Sequence, residues 1–243
     1  KTNVAQYGFI PSGSGGFSGQ TQWSALAAST GWSFTNGVWG NEYYYDDPRF
    51  ISTLQWWADM WLEHGWAPAL DQQTSLGAQA LFQAGNGGMA LIGSWEIGSY
   101  LGSDFEVAFG RLPAGPEGRK SMFNGLADSI WVGTQHLEES WSWVKYLASA
   151  ECQNVVGEAG VVFPAIPEAA ALSQQVRSDA GVDVSAFIDQ ANEENGTFVF
   201  PITDFGGEIS TIMNEATDAV GLGQAKAADV IPDANAEVND LFQ

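Results

Sequence analysis

The chain has 243 residues, of which 45% are hydrophobic and 13% aromatic, including 11 Trp. That length is enough for one large or two small domains with a sizeable core, and no apolar run approaches the roughly 18 residues of a membrane span. With 29 acidic against 8 basic residues and a net charge of -21, nucleic acid and anionic lipid are excluded as partners, and a neutral ligand is favoured.

In chain order, Val4 to Ile10 reads as a strand running into a glycine-serine loop, Pro11 to Gly19, that carries Phe17. No Gly-Lys-Ser/Thr follows it, so a phosphate cradle is a poor fit. Gln22 to Ser29 reads as a short helix, and Trp32 to Trp39 as an aromatic hairpin region around Asn36-Gly37. Asp47 is placed to cap a strong helix, with Pro48 in its first turn and Gly65 just past its end. Phe50, Leu54, Trp57 and Trp61 recur there at helical spacing, backed by Ile51, Ala58 and Leu62, which describes a core-facing stripe. A shorter helix is expected over Ser75 to Ala84.

Met89 to Ile92 is a short apolar run between glycines and reads as a buried strand. Ser94 is the expected N-cap of a helix starting near Trp95. Trp95 therefore falls at a strand-to-helix corner, the kind of place that lines a ligand crevice in open α/β sheets. Its indole has a flat apolar face suited to a sugar ring, although it could equally plug a core. Further strands are expected over Phe105 to Leu112 and Ile130 to Gly133, separated by the turn-rich Pro113 to Gly118. Helices come next, from Thr134 to Ala148 and then from a Ser149 cap. After an extended return, Gly160 to Pro167, come Glu168 to Arg177, Val184 to Glu194, Phe205 to Val220 and Lys226 to Phe242, the last one kinked or restarted at Pro232.

Several stretches resemble one family in the right order. Gly93-Ser94-Trp95-Glu96 after a small apolar strand is similar to a segment of the extracellular solute-binding proteins of sugar ABC transporters, the family that includes maltose-binding protein. Asp104 to Pro113 resembles its hinge strand, Phe123 to Ala127 through Trp131-Val132-Gly133 its next loop and strand, and Glu138 to Cys152 the helix pair beyond. The resemblance implies an α/β, type II periplasmic-binding-protein-like fold of two lobes that close on a ligand. Mapped on that plan, residues 1–109 and 155–243 are the second lobe and 110–154 the hinge crossing and return segment of the first lobe. Most of the first lobe is then absent from the chain.

The resemblance also implies site residues. Trp95 takes the place of the stacking tryptophan, Asn124 and Gly125 fall in a loop that bonds sugar hydroxyls, and Asp204 and Phe205 fall where relatives place another aromatic contact. Phe17 and Gln22 lie near the first binding loop of the second lobe. Glu96 could accept a hydroxyl hydrogen bond, or serve the helix dipole alone. The implied role is reversible capture of a neutral sugar or oligosaccharide, without cofactor, and delivery to the membrane permease subunits of an importer. The implied location is extracytoplasmic, periplasmic or lipid-anchored at the surface.

Two alternatives stand beside it. A glycosidase needs two carboxyls facing each other about 5 to 9.5 Å apart, and Glu42, Asp46, Asp47, Glu96, Asp128 and Asp204 are available. A chain lacking most of one lobe could also be an interaction module without transport. Other chemistries lack their motifs: there is no Gly-x-Ser-x-Gly, no His-Glu-x-x-His and no zinc-type cysteine spacing, and Cys152 is the only cysteine.

Overall fold

The computed structural model describes residues 6–11 and 19–243. Its centre is α2 (Pro48–Leu62), and the reason is local. Asp47 leaves the helix with extended dihedrals and its side chain accepts a hydrogen bond from the Arg49 N–H at 2.8 Å, while Pro48 fills a position that has no N–H partner to lose. The stripe of Phe50, Leu54, Trp57, Ala58 and Trp61 is buried, as the spacing requires, whereas Ile51 is only partly covered and Leu62, in the last turn, is exposed. Against it lie α1 (Ser24–Ala28), α10 (Gly206–Gly221) and α11 (Ala227–Asp240). From these come Ile209, Met213, Val220, Ile231 and Val238, all fully buried. The Trp61 Nε1–H donates to the Gly221 carbonyl at 2.7 Å, which ties the two helix ends together.

The segment between α1 and α2 wraps this core. It contains one antiparallel bridge, Thr35 to Tyr43, which encloses residues 36–42 rather than a two-residue Asn36-Gly37 turn. Two asparagines of α11 then take the part of a neighbouring strand. The Tyr43 N–H donates to Asn239 Oδ1 at 2.7 Å, Asn239 Nδ2 donates to the Tyr43 carbonyl at 3.0 Å, and the Tyr45 N–H donates to Asn235 Oδ1 at 2.9 Å.

Extended backbone is sparse. Tyr7 and Ile10 make parallel bridges to Gly87 and Ala90, so the predicted strands 4–10 and 89–92 meet as a short parallel pair where they are described. The only named ladder among the described residues is also parallel: β1 (Ser121–Met122) with β2 (Thr197–Phe198), in register Ser121 to Thr197. Phe105 to Leu112 forms no strand. Its rings dock instead, Phe105 on Phe82 at 5.5 Å and Phe109 on Phe187 at 5.6 Å. Ile130 to Gly133 is likewise no strand but turns on itself, the Trp131 carbonyl accepting the Thr134 N–H at 3.0 Å and the Gly133 carbonyl accepting Gln135 Nε2 at 3.3 Å.

Helix boundaries correct the sequence reading in three places. The helix expected over 75–84 is two, α3 (Leu70–Leu76) and α4 (Ala78–Gln83), because Gly77 adopts φ +81° and ψ 147°, which no helix accommodates. Gly93, not Ser94, occupies the cap position before Trp95, and a 3-10 turn, Ser94–Glu96, leads from it into α5 (Ile97–Leu101). Residues 167–240 contain α8 (Pro167–Asp179), α9 (Ser185–Asn192), α10 and a continuous α11 with Pro232 inside it.

The stretch from 101 to 156 differs from the rest in burial. It holds α6 (Leu137–Leu147) and most of α7 (Ala150–Ala159), whose Ser149 cap accepts from the Cys152 N–H at 3.3 Å as expected. None of its residues is buried, although it carries Phe123, Leu126, Trp131, Val132, Trp141 and Trp143. It is joined to the rest through the β1–β2 ladder, through the Glu117 N–H, which donates to the Ser29 carbonyl at 2.9 Å, and where α7 crosses α8, with Gly157 so near that a Cβ there would lie 2.5 Å from the Ala169 carbonyl.

Two substitutions probe this framework. Asn235→Ala leaves the buried Tyr45 N–H without an acceptor and is expected to lower unfolding free energy by about 1–3 kcal/mol in urea titrations. Asp47 is held below the usual carboxylate range by its hydrogen bond to the Arg49 guanidinium, against some desolvation and with help from the Arg49 N–H. A carboxyl with a lowered folded pKa stabilises above its unfolded value, near pH 4, and loses that contribution as pH falls through the folded value. Asp47→Ala is therefore expected to cost about 1 kcal/mol at pH 7. The difference from wild type should shrink in melts run below about pH 3.

Candidate ligand site

Both parallel pairs send their C-terminal ends into loops that carry the residues singled out in the sequence, the arrangement by which α/β sheets present ligand sites. The 87–90 segment runs on to Gly93 and Trp95. The β1 strand runs directly into Phe123, Asn124 and Gly125, and β2 runs through Phe200 to Asp204 and Phe205.

Trp95 is the best-defined of these. Its six-membered ring folds back over Gly93, so closely that a Cβ at 93 would lie 2.2 to 2.4 Å from the ring atoms. Glycine is required for the seat. One face of the indole thus rests on backbone while the side chain remains 44% exposed. The Glu96 carboxylate accepts the Gly93 N–H at 3.1 Å, and the Glu96 N–H donates to the Gly93 carbonyl at 3.0 Å. Glu96 therefore serves to close the turn that holds Trp95. Below, Tyr100 is buried and rests on Phe82, and burial, with the Glu96 charge adding, pushes its hydroxyl up to about 12, so it stays a neutral phenol.

The remaining residues differ in availability. Asn124, Gly125 and Asp204 are exposed. Phe205 is half-buried and meets Phe242 edge-on at 5.0 Å, so part of its surface is spent on the core. Gln22 is buried beneath the surface before α1, which removes it from ligand reach in this conformation. Phe17 lies outside the described residues. No ring contact joins Trp95 to Phe205 among the described residues, and neither ring lines the shallow depression on the α6 surface or the small void in the core.

One exposed ring escaped the sequence reading. Trp39 is 76% exposed, and the carbonyl of its neighbour Val38 accepts the Ile202 N–H at 2.7 Å, which places the 38–39 turn beside the Asp204–Phe205 segment. Trp39 sits at the centre of a turn over 37–40 closed by the Gly40 N–H on the Gly37 carbonyl at 2.9 Å, and the glycines at 37 and 40 were the available signal.

Three of the six carboxylates offered to a glycosidase are committed elsewhere, while Asp46, Asp128 and Asp204 are exposed. Asp47 caps α2 and pairs with Arg49 at 2.6 Å, Glu42 accepts the Tyr44 hydroxyl at 3.2 Å, and Glu96 closes its own turn. Among the described residues no group of three or more His, Cys, Asp or Glu is arranged to hold a metal ion.

The pattern of the family described as bacterial extracellular solute-binding protein matches residues 4–154, more than half the chain. The chain belongs to this family. No curated protein matches it. Solved structures of solute-binding proteins share its fold. Listeria monocytogenes Lmo0181, an ABC substrate-binding protein in complex with cycloalternan, is 13% identical with a TM-score of 0.81, over 100% of this chain and 60% of its own. Mycobacterium tuberculosis UspC is 22% identical with a TM-score of 0.75, over 97% and 57%. The sugar-binding protein MalE of Xanthomonas citri is 18% identical with a TM-score of 0.70, over 99% and 59%. The chain thus spans about 60% of the length of these solute-binding proteins. Its fold is the type II periplasmic-binding-protein kind, mixed α/β and bilobal in its relatives.

The Gly93 seat is open to test. Gly93→Ala is expected to displace the Trp95 indole, moving its resonance in the 19F spectrum of 5-fluorotryptophan-labelled protein while the line of the buried Trp32 stays in place. The Trp95 line is assigned by its loss in Trp95→Phe.

Proposed function

We propose that this chain supplies the ligand-binding part of an extracytoplasmic receptor that takes up a neutral sugar or oligosaccharide and passes it to the membrane subunits of an ABC importer. The observation that carries the reading is the Trp95 indole, backed by Gly93 and open on its outer side at the C-terminal end of a parallel pair, in a chain of the solute-binding family. The relatives' own ligands support the ligand class: the Listeria protein is in complex with cycloalternan, and the Xanthomonas protein is a sugar-binding protein.

In this reading a sugar lays its C–H face on Trp95, and the exposed Asn124 and Asp204, with the Gly125 backbone, orient its hydroxyls. Phe205 and Trp39 offer further apolar edges. Each polar group that must be satisfied rejects ligands lacking its partner at roughly 1–3 kcal/mol. Glu96 acts through the turn, not on the ligand. The role is binding without chemistry, a reading supported by the structural commitments of Asp47, Glu42 and Glu96. The strongly acidic surface suits a neutral ligand.

The lobes obey the same reading. Residues 1–109 and 155–243 make one lobe, and 110–154 cross the hinge and return to the other. The lack of any buried residue between 101 and 156 supports this, because an apolar stretch with no core of its own fits one wall of a second lobe.

The test is titration with neutral mono- and oligosaccharides, monitored by calorimetry on wild type and Trp95→Ala. Saturable binding in wild type and at least about tenfold weaker binding in the variant, some 1.4 kcal/mol or more, is the expected result. Equal affinity in both proteins would overturn the assignment of Trp95.

A further inference from the structure

The chain has only eight Lys and Arg residues against 29 acidic ones, yet three of the eight converge on one turn. This turn, Glu193 to Gly196, links α9 to β2. The Arg111 guanidinium binds the Glu193 carboxylate, Arg119 Nε lies 3.7 Å from the same carboxylate, and Lys120 Nζ donates to the Asn195 carbonyl. Arg119 also donates to the Leu112 carbonyl, so the 111–120 crossing is folded around the same point.

The turn is built to hold that charge in place. Asn195 has φ +54°, and it is the only non-glycine with positive φ among the described residues. The Gly196 N–H donates to the Glu193 carbonyl at 2.9 Å, and Gln190 Nε2 and the Ser121 N–H both donate to the Gly196 carbonyl, at 2.9 and 2.8 Å. A Cβ at 196 would come within 2.7 Å of Glu193 Cβ, so only glycine lets the turn close. Immediately beyond lies the two-residue β1–β2 ladder, and beyond that the exposed Asn124 loop.

That ladder is very short, and two strands of two residues do not fix an angle by themselves. We propose that Glu193, through Arg111 and Arg119, is an ionic latch that sets the orientation of the 123–147 stretch relative to the body built on α2. The latch is partly exposed, so it is weakened by salt, and Glu193 is a positioning residue for whatever the Asn124 loop meets. In so acidic a chain the clustering of scarce cations at one joint has no comparable counterpart elsewhere among the described ion pairs, which otherwise join single partners.

The experiment measures the joint in the ligand-free chain, so it stands whether or not the chain binds a sugar. Nitroxide labels at Ser52→Cys on α2 and Ser142→Cys on α6, in a Cys152→Ser background, report one distance distribution by pulsed electron resonance. At 50 mM NaCl the unaltered joint is expected to give a narrow distribution that broadens at least twofold at 1 M. Glu193→Gln and, from the other side, Arg111→Gln are expected to be that broad already at 50 mM and insensitive to salt. Glu194→Gln, an exposed neighbour outside the cluster, keeps the narrow form. A narrow, wild-type distribution in either latch variant at 50 mM, or equal broadening in Glu194→Gln, overturns the proposal, and far-UV circular dichroism establishes that each variant is folded.

Discussion

Phe50 is the ring on which the rest of the body turns. It lies flat on Trp32 at 4.8 Å and edge-on to Trp23 at 5.0 Å and Tyr45 at 5.3 Å. Trp23 stands at the cap of α1, while Trp32 and Tyr45 come from the two ends of the wrap between α1 and α2. Such pairs contribute about 0.5–1.5 kcal/mol each beyond the area they bury, but their geometric effect is greater. Phe50 stands in the first turn of α2, so the cap that starts the helix also fixes the depth at which the cluster closes. Trp23 in turn needs Gly19 at φ +51°, because any Cβ there would lie 2.4 Å from its ring.

From this hub the ligand loops inherit their positions. Phe9 meets Trp57 edge-on at 5.6 Å, which sets the 7–10 segment and, through its bridges, the 87–90 segment that ends at Trp95. Phe34 meets Phe198 at 6.2 Å and Phe200 at 5.2 Å, which sets β2, the Asp204–Phe205 segment beyond it and, through the ladder, the strand β1 itself. Two separate parallel pairs are thereby referenced to one helix, and a packed aromatic interior transmits such placement because it does not deform gradually.

The range over which each signal acts decides how much of the molecule was legible in the sequence. The α2 stripe, its Asp47 cap and the Ser149 cap are local signals, with cause and effect within one or two helical turns, and they could be read. The Gly77 break could not, since a glycine at a helical spacing is ambiguous until its φ is known. The expected strands at Phe105 to Leu112 and Ile130 to Gly133 failed for another reason: a strand needs a neighbour, and apolar composition does not say whether one is present. At the site, the Trp95 corner was legible from Gly-Ser-Trp, whereas the roles of Glu96 and Gln22 were not. A carboxylate three residues from a glycine N–H and an amide beside a buried tryptophan look the same in sequence whether they face ligand or backbone.

The two asparagines of α11 carry a consequence for how the chain behaves among its own copies. By bonding the Tyr43 and Tyr45 backbone from the side, the final helix occupies donors and acceptors that an exposed edge would offer to another polypeptide. Edges left open in this way template strand addition between molecules. The helix α11 is therefore also a shield, and its fraying would uncover backbone inclined to pair between molecules before the core had unfolded.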